Sequence, residues 1–255
     1  VRRPVAAAVV SASLLALPAG VGAAPRLHLS AAFAPERLGR GSTVTVAFRI
    51  AYSAGASPRP VTDVRLLYPA GLGLGSSELG LEACDPAALE ARGASACPQD
   101  SLMGSGQATV AVPFGPRLVA ETAPIRIFSQ PVHEGHIGLL FSVTGAFPVI
   151  ADLAFGAFVL PAGGVYGGTI DTRLPLVPSV PGGPDVSLVA LRTTIGSRGI
   201  VYSERLRGRE VRFHPEGLRL PGSCPRAGFP FAARVRFVDG TTVAGVTRVH
   251  CPQRG

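Results

Sequence analysis

Apolar and polar residues alternate with a period of two along most of this chain, and that pattern most constrains its fold. Leu27, Leu29, Ala31 and Phe33 alternate with Arg26, His28 and Ser30. Val44, Val46, Phe48 and Ile50 alternate with Thr43, Thr45, Ala47 and Arg49, and Val64, Leu66 and Tyr68 with Asp63 and Arg65. Successive side chains of a strand point to opposite faces, so this period marks strands with one buried face. Gly39-Arg40-Gly41-Ser42 and the Gly/Pro-rich run 54–60 supply turns between them. The same reading places further strands at 107–112, 124–128, 136–144, 149–160, 165–173, 186–197, 210–220, 231–238 and 242–249, with Val238-Asp239-Gly240-Thr241 as a hairpin turn. Residues 176–184 read as a loop or short linker. One short helix is expected after Cys84, because Asp85 suits a cap, Pro86 the first helical position and Gly93 the stop. Many short strands with almost no helix predict an all-β fold: an antiparallel β-sandwich, Ig-like or jelly-roll-like, over residues 25–255. Two packed sandwiches, 25–113 and 117–255, are the alternative.

The chain's 32 glycines and 24 prolines come with 47% hydrophobic residues, so the composition is that of a turn-rich globular fold and not of a disordered chain. The first 24 residues speak of location. Arg2 and Arg3 precede an apolar run broken by Ser11 and Ser13, Pro18 and Gly20 end it, and Gly22-Ala23-Ala24 follow. That order predicts a secretory signal peptide cleaved near Ala24. The run is shorter than the roughly 20 apolar residues of a membrane span, so the expectation is a secreted or envelope-located chain with no integral span after cleavage. The formal charge of +8, or +6 without Arg2 and Arg3, comes wholly from arginine. A high-GC genome produces that usage without selection for a ligand; guanidinium groups that bind phosphates or carboxylates are the functional reading.

Four cysteines, Cys84, Cys97, Cys224 and Cys251, allow three pairings. In an exported chain they are expected to be bridged, and the local pairing is preferred: Cys84–Cys97 around the short helix and Cys224–Cys251 across a hairpin. A zinc site is the rival reading, but the close Cys-x-x-Cys pairs that such sites favour are missing.

Signals of chemistry are sparse. His133-Glu134-Gly135-His136 is one residue short of His-Glu-x-x-His, and Pro131 and Gly135 make it a hairpin tip. Ser105 sits between Gly104 and Gly106 and reads as a turn, not as a nucleophile elbow. No carboxylates are spaced for acid–base work or for a calcium loop, so no catalytic, metal or cofactor-binding residue is assigned. The densest charged stretch is 204–212, where Gly208 can turn a hairpin and leave Arg205, Arg207, Arg209 and Arg212 as a face for an anionic ligand, against a plain solvated strand surface. Nucleic acid is not an expected partner, since aromatics make up 6% of the chain and tryptophan is absent.

Several stretches resemble a family of secreted all-β proteins of high-GC actinobacterial soil bacteria. They are Tyr68-Pro69-Ala70-Gly71-Leu72-Gly73-Leu74, then Cys84-Asp85-Pro86 with Cys97-Pro98-Gln99-Asp100-Ser101 and Gly104-Ser105-Gly106, and finally Ser223-Cys224-Pro225 with Cys251-Pro252. The resemblance implies export and pairing of cysteines within each motif, and it brings no activity and no catalytic residue.

The functional expectation is an exported, non-catalytic structural or binding component of the cell envelope, its partner an anionic envelope polymer or another envelope protein. A carbohydrate-binding module is one rival, and would need exposed aromatics from Tyr52, Tyr68, Tyr166 and Tyr202. An enzyme of unrecognised class is the other, and would need a cleft with paired carboxylates or with His133 and His136 converging on an acid.

Overall fold

The computed structural model describes residues 24–74 and 77–252. Residues 1–23 of the expected signal peptide lie outside them. The strands are β1 (Arg26–Ala34), β2 (Gly41–Ala51), β3 (Val61–Pro69), β4 (Leu102–Phe114), β5 (Arg117–His133), β6 (His136–Gly145), β7 (Ala151–Pro161), β8 (Tyr166–Arg173), β9 (Ser187–Ile195), β10 (Tyr202–Leu206), β11 (Arg209–Phe213), β12 (Leu218–Arg219), β13 (Phe229–Phe237) and β14 (Thr242–Val249). Among the described residues the one α-helix, α1 (Pro86–Arg92), is built as its sequence suggests. Asp85 caps it by accepting from Ala87 N at 2.8 Å, and Gly93 N closes it on Leu89 O at 2.8 Å. The expected strand at 210–220 is two strands, β11 and β12, parted by His214–Gly217, and β10 is a strand the alternation did not mark.

All ladders are antiparallel; β1-β2-β9-β4-β5-β6-β7-β8-β3-β13-β14 join into one sheet, with β12 added beside β2, and β10 with β11 forms a separate two-stranded hairpin. The expected sandwich of two sheets is therefore a single sheet, nearly closed on itself like a barrel. Eleven strands alternating in direction leave β1 and β14 running the same way where the two ends meet. Gly245 makes that seam tight: a Cβ there would lie 2.7 Å from the Leu27 carbonyl oxygen. Strands from 25–113 and from 117–255 interleave in the ring, with β9 between β2 and β4 and β3 between β8 and β13. Alternation now has a geometric meaning. Val64 and Leu66 face inward, while Arg65 faces outward and pairs with Asp171 at 2.6 Å. An apolar inside and a polar outside is the reverse of a membrane-spanning barrel. Among the described residues, no helix is long and apolar enough to cross a membrane.

The ring has two unlike ends. At one, the plugged end, β13 starts and β14 stops, and Phe33, Tyr202, Leu218, Leu220, Phe229 and Phe231 pack in one buried cluster. The disulfide Cys224–Cys251 ties this end (Cα–Cα 5.7 Å). The second, Cys84–Cys97 (Cα–Cα 4.8 Å), fixes the α1 segment over Phe128 and Leu140 on the outside of the wall. Both pairings are the local ones. The other end, the loop end, gathers the β4–β5, β6–β7, β8–β9 and β13–β14 connections.

Candidate functional site

Strand number sets the width of a ring. Eight strands leave an interior that side chains just fill or that holds one small ligand. Eleven enclose more, and this interior is not filled. Phe141, Leu153, Phe155, Ile170, Leu188 and Leu191 point inward yet stay only half-buried, because they face a cavity of about 160 Å³. Phe141 and Phe155 form a cross-strand pair on β6 and β7 and stack with ring centroids 5.4 Å apart and planes 10° apart. Among the described residues, Thr172 and Thr193 supply the only side-chain hydroxyls in the lining, and no ionisable side chain belongs to it. A site of this kind selects for apolar bulk and shape, since a charged guest would lose its hydration with no partner to replace it. An apolar protein cavity of ~150 Å³ is large enough to take benzene, so this one suits a small apolar molecule or the end of a hydrocarbon chain.

At the loop end the segment 174–177 crosses the cavity. Leu174, Pro175, Leu176 and Val177 line it from within, and Leu176 is also 44% exposed on the outside. This strap is held by Leu174 N donating to Thr62 O (2.8 Å) and by Val186 N donating to Val177 O (2.9 Å). Beside it, Glu121 on β5 is buried and accepts from Ala146 N (2.8 Å) and Val149 N (3.2 Å). That carboxylate organises the β6–β7 loop. At the plugged end, Tyr202 is fully buried, accepts from Gly80 N (2.9 Å) and donates to Leu102 O (2.6 Å). Burial pushes its phenol pKa up.

A second groove, of about 370 Å³, lies on the outside of β1, β2, β9 and β4. His28, Arg49, Gln107 and Arg192 flank it, Ala47 and Ala190 contribute to it, and no carboxylate lines it. The register explains the cluster: Arg49 pairs with Ala190 and Arg192 with Ala47, so both arginines share one outward face.

The residues singled out from sequence fall as follows. The stretch 204–212 is the β10–β11 hairpin, turned at Arg207 (φ +50°) and Gly208 (φ +82°). Its arginines do not make one face. Arg205 sits opposite Glu210, and Arg212 lies 4.0 Å from the same Glu210, whereas Arg209 pairs with Leu206 on the other face. His133 and His136 face each other at the β5–β6 tip, which turns at Glu134 and Gly135; His133 is 3.8 Å from Glu134 and both are strongly exposed, while His136 is half-buried. Among the described residues, no group of three or more His, Cys, Asp or Glu is placed to hold a metal. Ser105 is not in a turn but within β4, and its flanking glycines admit β9 closely: a Cβ at Gly106 would meet Thr193 Cα at 3.1 Å. Of the tyrosines, Tyr68 and Tyr202 are buried and Tyr52 packs on Phe237 with centroids 6.5 Å apart. Only Tyr166, half-buried, remains of the expected aromatic platform.

The cavity and Glu121 escaped the sequence reading. A signal existed: Ala146-Phe147-Pro148-Val149-Ile150 is an apolar connection where a polar turn is the rule. No protein-family model, curated protein or solved structure matches this chain.

Proposed function

We propose that this chain is an exported, non-catalytic binding protein of the cell envelope whose ligand is apolar and is held inside the curled sheet. The observation that carries the reading is the cavity of about 160 Å³, walled by half-buried Phe141, Leu153, Phe155 and Ile170 without an ionisable group. Apolar surface left facing a void forfeits both hydrophobic stabilisation and dispersion contacts. A guest that fills it recovers both. Two disulfides suit an oxidising, extracytoplasmic compartment, in keeping with the signal-like start of the sequence.

The test is titration with cis-parinaric acid, a fluorescent polyene acid whose chain end enters past the strap while its carboxylate stays in water, followed by displacement with unlabelled hexadecanoate. Saturable, competable binding at one site is expected, and Val110→Phe, which inserts a ring into the cavity, is expected to weaken it at least tenfold. Fluorescence that never saturates, or binding untouched by Val110→Phe in a folded variant, would refute the reading.

A second reading, an anionic envelope polymer held by arginine, is favoured by the outer groove between Arg49 and Arg192, which has no carboxylate in its lining. The hairpin arginines are the weaker place for it, because Glu210 stands between Arg205 and Arg212. Arg49→Ser with Arg192→Ser is expected to abolish salt-sensitive retention on isolated envelopes. Retention equal to the parent at low salt would remove this reading.

A further inference from the structure

The loop end displays large apolar side chains where connections are normally polar. Phe114 and Leu118 flank the β4–β5 turn, Phe147 and Ile150 stand in the β6–β7 loop, and Leu176 and Val180 lie in the β8–β9 connection, all exposed. Phe147 is 74% exposed and Ile150 88%. They are not floppy bystanders: the buried Glu121 carboxylate accepts from Ala146 N and Val149 N, so the loop carrying them is fixed with both side chains turned away from the core. Exposed apolar clusters of this kind mark interaction sites. The position identifies the partner. These tips surround the strap, and Leu176 belongs both to the exposed cluster and to the cavity lining. The apolar surface is therefore continuous from the outside to the interior across one segment of chain. Arg117 sits in the same turn as Phe114 and Leu118, exposed and without an ion pair among the described residues.

We infer that the loop end docks on a lipid bilayer, inserting Phe147 and Ile150 with their neighbours into the interfacial region and setting Arg117 among anionic headgroups. The inference rests on the cavity reading for its purpose: an apolar ligand passes between bilayer and cavity past the strap without crossing water. The outward wall of the ring stays in water, because it carries Arg49, Arg65, Arg126, Arg192 and Asp171. Insertion is thus confined to the tips. Burying one Phe and one Ile accounts for roughly a hundredfold in partitioning.

The experiment is flotation of the purified chain with phosphatidylglycerol–phosphatidylcholine vesicles. The parent should float, and Phe147→Ser with Ile150→Ser should lose about a hundredfold in partitioning. Val246→Ser should float as the parent does, since Val246 is an equally exposed (76%) apolar residue on the wall of β14. Binding of cis-parinaric acid without vesicles should be unchanged in the double variant, which also shows that it is folded. A parent that does not float, a double variant that floats equally well, or tips that instead hold two copies together in sedimentation would overturn the docking surface. Loss of parinarate binding by the parent would overturn the cavity reading alone, because flotation does not depend on it.

Discussion

The two ends of the ring are made from the same alternating strands, yet they do opposite things with their apolar side chains. At the plugged end aromatic rings meet edge to face: Phe33 and Phe229 have centroids 5.4 Å apart and planes at 81°. Phe229 and Phe231 are essentially sealed from solvent. At the cavity, Phe141 and Phe155 stack on each other at 5.4 Å and stay only half-buried. The plugged end has material to spare, because Leu74, Leu79, Ile200, Tyr202, Leu218 and Leu220 from segments outside the eleven-strand ring pack into its cluster, and a disulfide anchors it there. The loop end has the strap and, beside it, the β2–β3 connection, whose Pro58 O accepts from Ser187 Oγ (3.1 Å). A ring wider than its own side chains can fill needs a plug at both ends to be a pure scaffold, and this one has a plug at one end.

The difference predicts unequal costs for similar substitutions. Phe231→Ala at the plugged end should destabilise by about 3–5 kcal/mol, the range for a well-packed aromatic. Removing the Cys224–Cys251 bridge by double Ser substitution should cost about 3–4 kcal/mol, as loop entropy gives for its sequence separation of 27. Glu121→Ala, which leaves Ala146 N and Val149 N without their acceptor, should cost about 2–3 kcal/mol and raise amide exchange in the β6–β7 loop. Phe155→Ala should cost only ~1–2 kcal/mol, because its ring already borders a void. Urea denaturation ranks all four. A cost for Phe155→Ala equal to that for Phe231→Ala would erase the contrast between the two ends.

The smallest effect concerns the Asp239 turn. Its carboxylate accepts from Thr241 and from Arg59 (2.6 Å), which hold its pKa down at about 2. A depressed acid pKa stabilises the fold above the ordinary carboxylate range, and that contribution fades as pH falls toward about 2. Asp239→Asn should therefore lower stability slightly at neutral pH and leave it unchanged near pH 2. A penalty independent of pH would point to turn geometry instead of charge.

Much of the fold was legible because its signals are local. Alternation located most strands, and Asp85, Pro86 and Gly93 located α1 to the residue. The Asp239-Gly240 turn and the local disulfides belong to the same class. What was not legible is collective. Alternation tells which face of a strand is apolar, but not whether the strands form two sheets or one curled sheet, since that depends on β9 entering between β2 and β4. The cavity is a property of the ring's circumference and no single strand carries it. Along the arginine stretch, period two alone would put Arg205, Arg207 and Arg209 on one face, but the turn at Arg207-Gly208 sets Arg209 opposite Leu206 and Glu210 opposite Arg205, so the register separates them. Arg49 and Arg192 are far apart in sequence, and only the β2–β9 register brings them together.

The central claim is that one half of the interior is a binding cavity of about 160 Å³ and the other a packed core whose void is only about 40 Å³. The most direct measurement is a methyl NMR titration with decanoate. Saturable shifts are predicted for Val143, Leu153 and Leu188, which line the cavity, with Ile200 and Leu220 in the plugged-end cluster unmoved. No saturable shift at the first three, or equal shifts at all five, would contradict it.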